Sequence, residues 1–315
     1  LTDSAKSTTS SPAITILICA YSRRPVVMEC LRRLEQQTYK NFDVVLIDDG
    51  SIDDTFAATT EYAKTAPYPL RVYTQPNGGV GRARNHGMQY ITAPLTLLLG
   101  QDVWAHPDFV ERHVRNHEEH PDDRFAVLGL SRYFDPDRTI TPFERYLETY
   151  GGQFSYGHFK HGDHVDWRYF YTGITSAKTS FLKKYASVEN IFFLEDMAWG
   201  YKMERDGGLT VVYDSLAIGD HYHPADVTWS LERHYRVGQH ARMLVTDLPE
   251  LTDQFKVHAS PARLNFYRWL AGQHKLWHVI GAIMQRLHTR WAMAWFSGRV
   301  LRLHYFAGFE GMPKP

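Results

Sequence analysis

Four apolar runs of strand length, AITILICAY (13–21), DVVLIDD (43–49), PLRVYTQ (69–75) and LTLLL (95–99), are separated by helical patterns over 25–37, 53–64 and 80–90. Runs this short and this apolar are buried on both faces, and buried strands that alternate with helices assemble as a parallel sheet covered on both sides. Pro25 in the first turn of the first helix and the acidic residues that open the second agree with that reading. Ligands of such sheets bind beyond the carboxyl ends of the strands. The residues just after each run are therefore the first place to look for chemistry.

The chain has 315 residues, 43% of them hydrophobic, which suffices for one large α/β domain with a helical extension. Lys plus Arg and Asp plus Glu balance at 35 each, so no overall field draws the protein to nucleic acid. Cys19 falls on the first strand and Cys30 on the helix after it, where both read as small core residues. The polar stretch 1–12 lacks the apolar centre of an export signal and reads as a disordered leader, and no apolar run is long enough to span a membrane. The expected location is cytoplasmic.

Beyond residue 125 the alternation loosens. FAVLGLSRYF reads as a strand, 140–170 as an aromatic connection, LEDMAWGYKMERD as a short helix ending at Gly207 and VTWSLERHYRVGQHARML as a longer one. Three strand ends carry polar groups: Ala20-Tyr21 with Arg23, Asp48-Asp49, and Gln101-Asp102 after LLLG. Taken alone, the Asp pair is equally a turn that caps the next helix through Ser51 and Asp53. In QPNGGVGRARNHG, Gly78 and Gly79 allow close backbone approach to a ligand, and Arg82 and Arg84 suit an anion. No GxGxxG follows the first strand, which disfavours a dinucleotide dehydrogenase.

The order AYSRRP, VVLIDDGSIDDT, NGGVGRARNHG, LLLGQDVWAHPDF, FFLEDMAWGYKM and IGDHYHP resembles the family-2 inverting glycosyltransferases of the GT-A fold, over about residues 13 to 240. The resemblance implies a GT-A domain over 13–245, with a nucleotide-binding half (13–105) and an acceptor half (106–245), and a C-terminal helical extension over 246–315. It implies that Tyr21 and Asp49 hold the nucleobase, that Ala20, Arg23, Gly79, Arg84 and Gln101 line the nucleotide-sugar site, and that Asp102 binds metal. His221 is the further metal ligand, a better positional match than His223, and a His ligand tilts the choice of Mn²⁺ or Mg²⁺ toward Mn²⁺. Asp196 is the expected general base with Glu195 orienting it, and Thr172, Gly173 and Trp199 are placed at the acceptor or donor-sugar cleft; Trp199 reads equally as a core residue. The chain departs from the family at Gly100, where the first Asp of the DxD element usually stands.

The activity this resemblance implies is an inverting, metal-dependent, non-processive transfer from a nucleoside diphosphate sugar, UDP-linked by preference, to a hydroxyl of a glycan, lipid or small molecule. The QxxRW element of processive synthases is absent, and AYSRRP lacks the glycines of a nucleotidyltransferase loop. The alternative is a nucleotide-sugar-binding protein of the same fold with little turnover. The aromatic, His-rich 150–171 stretch is either an acceptor loop or a packed connection. From residue 256 on, nine Lys or Arg face one acid, Glu310, and Leu276, Ile280, Ile283, Leu287, Trp291 and Trp295 share a helical face. That tail is either a cap on the fold or a peripheral contact with the inner face of a membrane.

Overall fold

The computed structural model describes residues 12–150, 153–223, 225–256, 260–271 and 297–312, with positions 273, 276, 279, 280, 283 and 295. The strands are β1 (Ile14–Ala20), β2 (Phe42–Asp48), β3 (Leu70–Thr74), β4 (Leu95–Gly100), β5 (Val103–Ala105), β6 (Phe125–Tyr133), β7 (His164–Val165), β8 (Ile174–Lys178) and β9 (Thr210–His221). The helices are α1 (Arg24–Glu35), α2 (Thr55–Ala63), α3 (Val80–Met88), α4 (Phe109–Glu119), α5 (Pro142–Tyr150), α6 (Thr179–Leu182), α7 (Glu195–Gly207), α8 (Val227–Asp247), α9 (Thr252–Phe255), α10 (Pro261–Ala271) and α11 (Arg302–Glu310). The expected α/β alternation of the first hundred residues is present, with each boundary shifted by no more than two residues.

All the strands join one sheet in the order β3-β2-β1-β4-β8-β6-β9-β5, with β7 on β9. β1 to β4 are mutually parallel where they pair, while β8 runs antiparallel to both β4 and β6, so the sheet is mixed beyond β4. In-register pairing of Ala20 with Asp48 and of Cys19 with Gly100 brings the ends of β1, β2 and β4 side by side. Every residue of β2 is buried, as a strand covered on both faces requires. Cys19 and Cys30 are free thiols, and Cys30 is fully buried in the main core.

A second core lies under α5, α8 and the 300–303 segment, where Tyr133, Phe143, Leu231 and Leu303 meet. Here α11 lies against α8 with Gly238 and Gly308 at the crossing. A Cβ at Gly308 would stand 1.9 Å from the Tyr235 carbonyl oxygen, and one at Gly238 would stand 2.0 Å from that of Tyr305. Only the absence of side chains allows the helices to approach so closely. Ile280 and Trp295 rest against this core, whereas Leu276 and Ile283 are exposed, so the expected common face divides; Leu287 and Trp291 lie outside the described residues, as do residues 1–11 of the expected 1–12 leader. No helix among the described residues is long and apolar enough to cross a membrane. Gly308→Ala is expected to cost about 1–3 kcal/mol, read as a lower urea midpoint; an unchanged midpoint would mean that α8 and α11 do not meet this way.

Candidate functional site

The sheet ends deliver three loops to one place. At the end of β1, Ser22 and Arg23 adopt left-handed backbone with φ of 55° and 62°, unusual for side chains with a Cβ. The turn is held from outside: Tyr21 N–H donates to Gln101 Oε1 at 3.0 Å, Ser22 N–H to Ser51 Oγ at 2.7 Å, and Arg24 N–H to Asp53 Oδ2 at 3.2 Å. Asp53 also accepts from Thr55 N–H at 3.0 Å, forming a turn just before α2. Tyr21 is left 43% exposed, with its ring available to a planar ligand.

Asp49 is committed differently from the expectation. Its Oδ1 accepts from Gln75 Nε2 (2.7 Å) and Gly78 N–H (2.9 Å), and its Oδ2 accepts from Asn77 Nδ2 (3.2 Å) and Gly79 N–H (2.8 Å). A carboxylate has about four acceptor positions, and all are used by Gln75 and the NGG loop. Asp49 therefore braces that loop, with its carboxylate oxygens taken up by protein donors. Gly79, at φ 87°, turns the loop into α3, and the ring of Phe192 lies 2.8 Å from where its Cβ would be.

Asp102 follows β4, and the antiparallel pairing of Val103 with His221 sets the end of β9 beside it. His221 Nε2 stands 3.6 Å from Asp102 Oδ1, while Arg23 Nη1 donates to Oδ2 at 3.1 Å and Arg23 Nη2 to the Tyr222 carbonyl at 3.2 Å. Burial works to raise the carboxyl pKa of Asp102, but His221, His223 and Arg23 together outweigh it and hold the group well below the usual range. Asp102 is thus ionised with one oxygen free of Arg23. An O and an N donor 3.6 Å apart lie within the span of two ligand bonds of about 2.1 Å to one cation. The donor set fits a divalent ion that accepts imidazole. No cluster of three or more His, Cys, Asp or Glu is present among the described residues, so phosphate and water would complete the shell.

Across the cleft, α7 starts at Glu195 after Leu194, itself left-handed at φ 68°. Arg84, 3% exposed, donates to Ser187 Oγ and Thr172 Oγ1 at 2.7 Å each, stands 3.5 Å from Glu195 and lies over the ring of Trp199. Arg84, expected near the ribose or diphosphate, is a buried tie between α3, the Thr172 loop and α7. Trp199 is 1% exposed and donates its indole N–H to the Tyr185 carbonyl, so it supports Arg84 from the core and presents no face to a sugar. Glu195 is pushed up to about 7 by burial and by the charge of Asp196, against the pull of Arg84. Burial also raises Asp196, opposed by the Met197 N–H and by Arg84 and Arg233.

Asp102, Gly173, Glu195, Asp196 and His221 line one cavity of about 490 Å³. Glu195 also faces a smaller pocket of about 100 Å³ that holds Arg84, Thr172 and Cys19. Sequence reasoning did not single out Phe192, Phe193, Arg233 and His234, which line the large cavity too; the double Phe before Glu195 and the basic RH pair in α8 were the available signals. The aromatic stretch contributes Phe154, Arg168, Tyr169 and Tyr171 to the wall while packing ring on ring, as with Phe154 against Tyr171, so it is a packed connection that reaches the cavity.

The sequence profile of Glycosyl transferase family 2 matches residues 15–188. The uncharacterized glycosyltransferase EpsJ of Bacillus subtilis (strain 168) is 33% identical over 131 residues, 42% of this chain and 38% of its own length. Glycosyltransferase GlyA of Streptococcus pneumoniae is 26% identical over 152 residues, 43% of this chain and 22% of its own length. The chain thus spans less than two fifths of these curated relatives. Among solved structures, mannosyltransferase PcManGT of Pyrobaculum calidifontis, in complex with GDP-Man and Mn²⁺, superposes with a TM-score of 0.63 at 16% identity, covering 95% of this chain and 88% of that one. S. aureus TarS 1–349 in complex with UDP gives 0.53 at 14% identity, covering 95% and 90%. These likenesses establish the GT-A fold.

The raised Glu195 pKa has a measurable consequence for stability. Its folded value lies above the unfolded one, so its contribution is fully present below about 4.5 and is lost as pH rises through about 7. Glu195→Gln, which cannot ionise, is expected to gain stability relative to the parent between pH 5 and pH 8, by about 1–3 kcal/mol in urea denaturation. A difference that stays flat with pH would place Glu195 in an ordinary solvated setting.

Proposed function

Because the chain belongs to glycosyl transferase family 2, we propose that it moves a sugar from a nucleoside diphosphate sugar to a hydroxyl acceptor, with inversion and in a metal-dependent, non-processive manner. The observation that carries this reading is the convergence of an Asp–His pair and an acidic pair on the lining of one cavity. Inverting transfer is a single displacement at the anomeric carbon, needing one base on the acceptor side and charge stabilisation on the leaving diphosphate.

Asp196 is the base in this reading. Glu195 is held back toward Arg84 and lines both cavities, whereas Asp196 is half-buried, lines the large one, and accepts a hydrogen bond from Met197 N–H at 2.7 Å. Its raised pKa makes it a better proton acceptor than an exposed aspartate. Glu195, with Arg84 against it, fixes the start of α7 and so the direction of Asp196. Asp102 Oδ1 and His221 Nε2 would hold the divalent cation, Mn²⁺ or Mg²⁺, which when bound neutralises the departing diphosphate. Arg23, on Asp102 Oδ2, adds fixed positive charge beside the same group. Tyr21 offers its ring to the base, and the NGG loop braced by Asp49 gives the nucleotide its floor. Phe192, over Gly79, closes that side. The two nucleotide-bound neighbours carry UDP and GDP-Man, and the sequence resemblance favours UDP for this chain.

Titration with UDP, GDP and dTDP, with and without Mn²⁺, tests the donor half. One nucleotide is expected to bind at micromolar affinity only with metal, and Asp102→Ala to lose that gain. Asp196→Asn is expected to lower transfer by roughly 10³-fold or more while nucleotide affinity stays within about threefold. Parallel losses of binding and transfer would remove Asp196 from the role of base. Metal-dependent nucleotide binding without transfer to any hydroxyl acceptor would favour a nucleotide-sugar-binding protein.

A further inference from the structure

The C-terminal helices carry a surface that the transfer chemistry does not use. Eleven large hydrophobic side chains are exposed among the described residues, and five of them, Phe266 (53%), Trp269 (60%), Leu276 (48%), Val279 (58%) and Ile283 (52%), fall within eighteen positions. Elsewhere such residues are scattered, which is ordinary for a protein surface. Phe266 and Trp269 are stacked at 5.9 Å, and every described position among 276, 279, 280 and 283 is helical. Leu276, Val279 and Ile283 recur at intervals of three and four, the spacing that returns a side chain to the same helix face, and Phe266 and Trp269 are three apart on α10, which ends at Ala271.

Charge identifies the occupant. From residue 256 onward there are nine Lys or Arg and one acid, and that one, Glu310, is paired with Arg268 at 3.1 Å. The whole chain is neutral, so this excess is local. An aromatic and aliphatic stripe interleaved with cations matches the boundary between the acyl chains and the anionic headgroups of a bilayer, where Trp and Phe enter the interface and Lys or Arg meet the phosphates. A protein partner would need a shaped, mixed-polarity surface, and a second copy would bring cation against cation.

We propose that the face formed by Phe266, Trp269, Leu276, Val279 and Ile283 docks on an anionic membrane surface. The docking layer is coupled to the cleft through packing: Tyr267 of α10 meets Phe306 of α11 at 5.7 Å, α11 crosses α8 at Gly238 and Gly308, and α8 supplies Arg233, His234 and Val237 to the cavity wall. A protein held by this face keeps its cleft within two helix layers of the headgroups. For a glycosyltransferase that favours an acceptor hydroxyl carried on a lipid, a consequence that rests on the transfer reading, whereas vesicle binding does not.

The test is co-sedimentation of the full chain with vesicles of phosphatidylcholine and phosphatidylglycerol in equal parts, against vesicles of phosphatidylcholine alone. The chain is expected to sediment with the anionic vesicles, to be released as salt rises from about 0.1 M to about 0.5 M, and to bind about tenfold more weakly as the Phe266→Glu, Trp269→Glu double variant. Both side chains are more than half exposed, so the variant should fold, and an unchanged urea midpoint and unchanged nucleotide titration confirm that it does. Absence of sedimentation, equal binding to neutral vesicles, or full binding by the folded variant each overturns the proposal. So does a dimer in sedimentation velocity that the two substitutions dissociate without any vesicle binding, which would assign the face to a second copy.

Discussion

The site depends first on the neutralisation of Arg84. A guanidinium that is 3% exposed is tolerable only if its donors and its charge are met, and the groups that meet them come from separate parts of the chain: Thr172 before β8, Ser187 after α6, and Glu195 at the start of α7. Asn85 repeats the tie one residue on, donating to the Ser187 carbonyl at 2.9 Å and accepting from Ser187 N–H at 2.8 Å. The helix that follows the glycine loop is thereby locked to the helix that carries the acidic pair. Orientation across the cleft comes from this buried network, and Trp199 closes it from below.

The Asp102 side of the cavity is organised by the same rule, with Arg23 supplying the opposite charge and His221 standing 3.6 Å from the other carboxylate oxygen. Gly100 stands two residues before Asp102, where the space for a side chain is limited. A Cβ there would stand 3.2 Å from Asp102 Oδ1 and 3.1 Å from Val103 Cγ2. In this arrangement a second carboxylate would grow out beside the oxygen that faces His221, adding a like charge. Arg23 instead contributes the opposite charge from the end of β1. The charge balance here differs from that of a two-aspartate arrangement, because a guanidinium stands beside the one carboxylate.

The parts legible in the sequence were those whose signal is local. Period and apolar runs reported the parallel β1 to β4 half, because burial on both faces leaves a composition that can be read directly, and the polar residues after each run marked the site. The acidic pair and the Asp–His pair were found by motif order, and the structure places both in one cavity. What could not be read were the surroundings of residues whose partners are distant in sequence. Nothing near Asp49 announces that Gln75, Asn77 and two backbone amides will fill its acceptor sites, and nothing near Trp199 announces that Arg84, 115 positions earlier, will sit on its ring. Arg233 and His234 went unnoticed in a helical stretch, since periodicity distinguishes inside from outside but not a cavity wall from solvent.

Strain is concentrated where the two walls face each other. Among the described residues the non-glycine positions with positive φ are Ser22, Arg23 and Leu194, the first two preceding α1 and the third preceding α7. Each such residue costs on the order of 1 kcal/mol or more, so the fold must hold it in place. It does so on both sides: Ser51 and Gln101 brace the β1 turn through backbone donors, and the Leu194 carbonyl accepts from Ala198 N–H at 2.9 Å to start α7 at once. A relaxed turn at Arg23 would move its guanidinium off Asp102, and a relaxed Leu194 would rotate Glu195 away from Arg84. Both charge clusters thus rest on backbone conformations that the chain would not choose locally, and the long-range hydrogen bonds that enforce them are what make a preformed cleft out of three strand ends and a helix start.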